Sequence, residues 1–132
     1  MRADALLAQV KFNADGLVIA VAQDHATGEV LMLAYMNVAT LRQTIETGVM
    51  TYWSRSRQKV WVKGESSGNT QSVREVSIDC DGDALLFKVD QRGAAACHTG
   101  RVSCFYRRLE DDALVVTSEP LFDPSTVYKQ HE

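Results

Sequence analysis

Short apolar runs separated by turn-forming residues recur along this chain and leave room for one substantial helix. Residues 16–24 (GLVIAVAQD) read as a strand, 25–29 (HATGE) as a turn and 30–36 (VLMLAYM) as a second strand, together a hairpin. Asn37 then offers an N-cap to the run VATLRQTIET. Val38, Leu41 and Ile45 recur there at helical spacing, and Gly48 supplies a stop. The strand pattern resumes at 49–54, 59–64, 72–79, 84–90, 101–109 and 113–117, and a short helix is expected near the N-terminus. The predicted class is α+β, a largely antiparallel β-sheet with one or two helices. Strand order is not legible at this level.

A chain of 132 residues, 45% hydrophobic and 23% charged, is expected to form one domain spanning 1–132 with its own core. A net charge of −3 argues against binding nucleic acid through overall charge. No apolar run approaches a membrane span, and the first residues lack a signal-peptide pattern, so a reduced, cytoplasmic protein is expected. Its three cysteines, Cys80, Cys97 and Cys104, cannot all pair within one chain. Buried thiols are often inert small hydrophobes. The neighbours of these three point to chemistry instead.

Asp79-Cys80-Asp81-Gly82-Asp83 places three carboxylates and a thiol within five positions. Asp81-Gly82 is a strong hairpin signal, and a plain solvated turn between 72–79 and 84–90 would explain it. That account does not require Asp79 or Cys80. In extended backbone Asp79 and Asp81 would project to one side and Cys80 to the other. Oxygen ligands suit a hard cation such as Mg²⁺, and a thiolate suits Zn²⁺. Unneutralised, the clustered carboxylates would repel one another.

In residues 96–104 (ACHTGRVSC), Cys97 and Cys104 flank a reversal permitted by Gly100, with His98 beside Cys97. Three thiol ligands on zinc leave one open position, the pattern of a catalytic site. A closed site with His98 as fourth ligand is the rival, disfavoured because adjacent side chains in a strand diverge. Residues 52–71 carry Arg55, Arg57, Lys59 and Lys63 against a single acid, Glu65. Ser54, Ser56, Ser66, Ser67 and Thr70 add hydroxyl donors, and Gly64 and Gly68 permit close backbone approach to a ligand. Trp53 and Trp61 offer flat faces for a base, and arginine's planar fork matches phosphate. A charged, solvated strand edge is the alternative.

The stretches WSRSRQKVWVKGESSGNTQ, DCDGD and ACHTGRVSCFYR, in this order, closely resemble the phosphoribosyl-AMP cyclohydrolase family of histidine biosynthesis, over about Phe12 to Leu109. The resemblance implies an intertwined homodimer of α+β subunits. It implies Mg²⁺ held by Asp79, Asp81 and Asp83, and Zn²⁺ held by Cys80 of one chain with Cys97 and Cys104 of its partner. Some relatives carry a fused pyrophosphatase domain; the residues after Leu109 are expected to be too few for one. The implied reaction adds water at C6 of an N1-phosphoribosylated adenine and breaks the N1–C6 bond. Zinc would lower the pKa of its water toward about 7, though three thiolates blunt its acidity. His98 is then the expected proton carrier, with Glu65 a weaker candidate. Trp53, Ser54, Arg55, Arg57, Trp61, Lys63, Gly64, Ser67 and Gly68 are expected to bind substrate, with Arg101, Arg107 and Arg108 candidates for its second phosphate. Two other classes remain open. A nucleic-acid module with a structural zinc would bind RNA or single-stranded DNA without turnover. A thiol redox protein would cycle a Cys97–Cys104 disulfide without stoichiometric metal.

Overall fold

A computed structural model of the chain describes residues 2–65, 67–93, 96, 97 and 99–121. The local signals translate directly into elements. Helix α1 spans Asp4–Leu7, strand β1 Val18–Asp24 and β2 Val30–Met36. Helix α2 (Val38–Thr47) follows, then β3 (Thr51–Ser54), β4 (Lys59–Val62), β5 (Gln71–Ile78) and β6 (Ala84–Gln91). Strands β7 (Arg107–Glu110) and β8 (Ala113–Val116) close the series.

Six strands form one sheet in the order β4-β3-β2-β1-β6-β5, and β7 and β8 form a separate hairpin. The pairings are antiparallel except β1 with β6, which is parallel. The sheet curls. Met50 N–H donates to the Gln71 carbonyl at 2.9 Å, and Val73 N–H to Gly48 at 2.8 Å, so the start of β5 meets the segment leading into β3.

Alternation decides which face is dry. Val18, Ala20 and Ala22 of β1, Met32 and Met36 of β2, and Leu85, Phe87 and Val89 of β6 are buried with Leu41 and Ile45 of α2. Ile19 and Val21, on the other face of β1, are only half-buried. Helix α2 starts and stops where its ends dictate. Thr40 N–H donates to Asn37 Oδ1 at 2.8 Å, and Asn37 N–H donates to Thr40 Oγ1 at 2.9 Å, a reciprocal cap. Gly48 ends the helix at φ 75°. Thr51 N–H donates to Thr44 Oγ1 at 3.0 Å, which pins the helix to β3.

The expected strand at 101–109 forms only over 107–110. Upstream, side chains and irregular backbone bonds replace a ladder. Ser103 Oγ donates to the Val30 carbonyl at 2.7 Å and accepts from Phe105 N–H at 3.0 Å, while Cys104 N–H donates to Leu31 at 2.7 Å. A serine that bonds backbone locally competes with the strand ladder. Among the described residues no helix is long and apolar enough to cross a membrane.

Candidate active site

The acidic cluster is made by the β5–β6 turn. Asp79 Oδ1 accepts the N–H groups of Asp83 (3.1 Å) and Ala84 (3.2 Å), and Gly82 N–H donates to the Asp79 carbonyl at 3.2 Å. Gly82 turns at φ 78°, and a Cβ there would stand 2.6 Å from the Gln9 carbonyl oxygen, because Lys11 N–H bonds the Gly82 carbonyl at 2.8 Å. This folding brings one carboxylate oxygen each from Asp79, Asp81 and Asp83 within 4.8 Å of one another. The expected strand alternation is therefore not the device; a turn wrapped around the Asp79 carboxylate is. Lys11, Gln9 and Cys80 line the cleft of about 170 Å³ beside it.

The carboxylates of the trio perturb one another. Desolvation opposes ionisation of Asp79, but the Ala84 N–H and hydrogen bonds with Asp83 and Asp81 outweigh it and hold its pKa low. The pKa of Asp83 is raised, first by its hydrogen bonds to Asp81 and Asp79, then by desolvation and their charge. A divalent ion would relieve the mutual repulsion of three carboxylates this close. The donor set, all oxygen and exposed, fits a hard cation.

The second cluster is the 96–104 reversal. Gly100 N–H donates to the Cys97 carbonyl at 2.9 Å and Cys97 N–H to Arg101 at 3.1 Å, with Gly100 at φ 88°. Cys97 is buried, and the Thr99 hydroxyl donates to its Sγ at 3.0 Å. Hydrogen bonding with the Cys97 thiol, then burial and the charge of Cys97, push the pKa of Cys104 far up, opposed by the charge of Lys63. Thiols in contact disfavour each other's ionisation, and sulfur donors of this kind would suit a soft metal. His98 lies outside the described residues, as does Ser66.

Cys80 does not join this pair within the chain. Cys104 bonds Leu31 at the start of β2, the end of the sheet where Gln23 pairs with Val30 and with Lys88. Cys80 precedes Ala84, at the opposite end of β6, and Ala84 to Lys88 alone spans about 13 Å of strand. Among the described residues only Asp79, Asp81 and Asp83 bring three such ligand groups together.

The basic segment forms a third feature. Tyr35, Trp53, Ser54, Arg55, Ser56 and Trp61 line a cleft of about 330 Å³. The Ser54 and Ser56 hydroxyls stand 3.5 Å apart, and Arg57 N–H donates to Ser54 Oγ at 3.3 Å. Trp61 packs on Tyr52 with centroids 5.3 Å apart, and its buried indole N–H has no acceptor among the described residues. Lys63 is not on the cleft surface. Its side chain is 1% exposed, with Nζ 5.7 Å from the Trp61 ring. The 64–69 loop closes on itself by a Gly68 N–H bond to Gly64 at 2.8 Å and an Asn69 N–H bond to Ser67 Oγ at 3.2 Å. A Cβ on Gly64 would meet Thr70 N at 2.4 Å, so this glycine serves backbone packing. Arg101 stacks on Tyr106 at 4.0 Å and donates to the Ser118 carbonyl, while Arg108 pairs with Glu110.

Sequence reasoning missed Tyr35, Lys11 and the buried chain Tyr52–Gln71–Gln91. In that chain the Tyr52 hydroxyl donates to Gln71 Oε1 at 2.7 Å and Gln71 Nε2 to Gln91 Oε1 at 3.0 Å. An aromatic next to a future arginine is visible only once β2 is known to lie beside β3.

Comparison with known proteins adds an independent line. The family model described as phosphoribosyl-AMP cyclohydrolase matches residues 32–106. The chain is 60% identical over 115 residues to the phosphoribosyl-AMP cyclohydrolase of Geobacter sulfurreducens, covering 87% of this chain and 92% of that one. It is 58% identical over 119 residues to that of Methanococcoides burtonii, covering 90% and 95%. With that of Salinibacter ruber it shares 55% over 126 residues, covering 96% and 98%.

Proposed function

The chain belongs to the phosphoribosyl-AMP cyclohydrolase family, and we propose that it hydrolyses phosphoribosyl-AMP in histidine biosynthesis. Water adds at C6 of the N1-substituted adenine and the N1–C6 bond breaks, so the ring opens and the product stays one molecule. The observation that carries this reading at the level of chemistry is the turn that gathers Asp79, Asp81 and Asp83, with Cys80 on the same cleft.

In this reading the aspartates hold Mg²⁺, and Cys97 and Cys104 hold Zn²⁺ together with Cys80 of a second chain. Zinc, when bound, supplies a Lewis acid able to make water reactive near neutral pH. His98, next to Cys97 in sequence, takes the proton of the attacking water and returns one to the ring nitrogen. Arg55 with the Ser54 and Ser56 hydroxyls binds a phosphate, and Trp53 presents a flat face toward the base. Arg57, Ser67 and the backbone at Gly64 and Gly68 complete the contacts. Lys63, buried against Trp61, lends charge from beneath the cleft.

Two observations support a homodimer. Cys80 stands at the wrong end of β6 to meet the other thiols of its own chain. The β7–β8 hairpin leaves Leu109 68% and Leu114 63% exposed, and a lone two-stranded hairpin is marginal in water. A second copy supplies the missing thiol and a surface for the hairpin.

The test is direct. Purified protein given phosphoribosyl-AMP is expected to change its ultraviolet absorbance as the ring opens, to carry about one zinc per chain and to run at dimer mass. Fully metallated dimer with no turnover would overturn the activity. A metal-free monomer that turns over would overturn the site.

A further inference from the structure

Arg55 lies in the middle of an exposed, positively charged segment, yet its guanidinium is not loose. Its Cζ sits 4.0 Å above the centre of the Tyr35 ring. The Tyr35 backbone is fixed by the sheet: the residue lies within β2, directly across from Trp53 of β3. Arg55 opens the turn after β3, and its side chain lines the same cleft as Tyr35 and Trp53. Among the described residues the Arg55 guanidinium makes no ion pair and no hydrogen bond, and the buried Trp61 N–H at the same cleft also has no acceptor. A planar cation fixed face-down on a ring leaves its N–H edge free in one plane, which is the presentation a phosphate oxygen pair requires.

We propose that Tyr35 is a positioning residue: its ring orders the Arg55 guanidinium so that the cleft binds a nucleotide 5′-phosphate with the arginine already aligned. The inference rests on the reading of Arg55 as a phosphate contact and adds to it a residue that reading did not include. An exposed arginine otherwise loses rotamer freedom each time it grips an anion. Stacking moves that loss into the folding of the chain, so the benefit appears as affinity and not as chemistry at C6. The hydroxyl of Tyr35 is not required; the aromatic face is.

The experiment is a double-mutant cycle, with KM and kcat for phosphoribosyl-AMP and the calorimetric Kd of AMP as readouts. Tyr35→Leu is expected to raise KM and Kd about three- to tenfold, with kcat held within about twofold. Tyr35→Phe is expected to stay within about twofold of the unmodified protein. With Arg55→Ala already present, Tyr35→Leu is expected to add nothing further. Equal effects of Tyr35→Leu with and without Arg55 would overturn the inference, as would a Tyr35→Phe as damaging as Tyr35→Leu. If Tyr35→Leu does not fold, Arg55→Lys carries the same question, because it keeps the charge and loses the planar stack. An unchanged KM in that variant overturns the inference. The two layers separate cleanly. If Arg55→Ala raises KM and Tyr35→Leu does not, only the positioning role fails; if Arg55→Ala changes neither KM nor Kd, the phosphate reading fails with it.

Discussion

Tyr52 is wholly buried, and its hydroxyl donates to Gln71. Burial first, and then the neighbouring Cys104, hold its pKa well above the ordinary phenol value. The consequence for stability has a definite sign. A group whose folded pKa is raised stabilises the fold fully below its unfolded pKa, here about 10, and that contribution is lost as pH climbs from there through the folded value. The Tyr52 contribution should therefore fall by up to about 1.4 kcal/mol per pH unit above pH 10, because only the unfolded chain releases the proton. Urea unfolding at pH 9, 10 and 11 checks this. Tyr52→Phe is expected to be less stable at pH 9 by about 1 kcal/mol, since Gln71 loses its donor, and to decline less steeply above pH 10. Parallel declines in the two proteins would contradict the assignment.

At the scale of elements, α2 shows how few residues position a wall of the core. Its reciprocal cap joins Asn37 and Thr40, and Thr44 ties it to β3. Thr40 fills the place that glutamate or glutamine more often takes in such a box, and its short hydroxyl still reaches the Asn37 N–H. Asn37→Ala is expected to cost about 1 kcal/mol in denaturant unfolding, and Asn37→Ser much less. A neutral Asn37→Ala would mean that packing of Leu41 and Ile45 alone sets the helix start. The β7–β8 hairpin is the opposite case: its register is regular, yet its apolar side chains Leu109 and Leu114 stay exposed.

For the whole molecule, the proposed sharing of the thiol site makes a prediction that no single-chain site can meet. Cys80→Ala and Cys97→Ala chains should each be inactive as pure dimers. Exchanged in equal amounts, half of the dimers are mixed, and each mixed dimer holds one intact thiol set of two. Activity is then expected to recover to about one quarter of the unmodified value. Mixtures that stay inactive although mass measurement shows exchanged dimers would place all three thiols in one chain, and pure variants that keep full activity would place the thiols outside the reaction.

Much of this was readable from the amino-acid order. The bounds of β2 and α2, the cap at Asn37, the stop at Gly48 and the reversal at Asp81-Gly82 depend on interactions within a few residues, and such signals survive without tertiary context. Residue chemistry likewise marked Asp79, Asp81 and Asp83 as one cluster and Cys97 with Cys104 as another. What only the tertiary structure decided is who meets whom across the sheet. That Tyr35 lies under Arg55, that Lys63 turns inward beneath Trp61, that 101–106 leaves the strand path, and that Cys80 is held at the far end of β6 all follow from strand order and curl. Those are set by how the whole core packs, and no local run of residues encodes them.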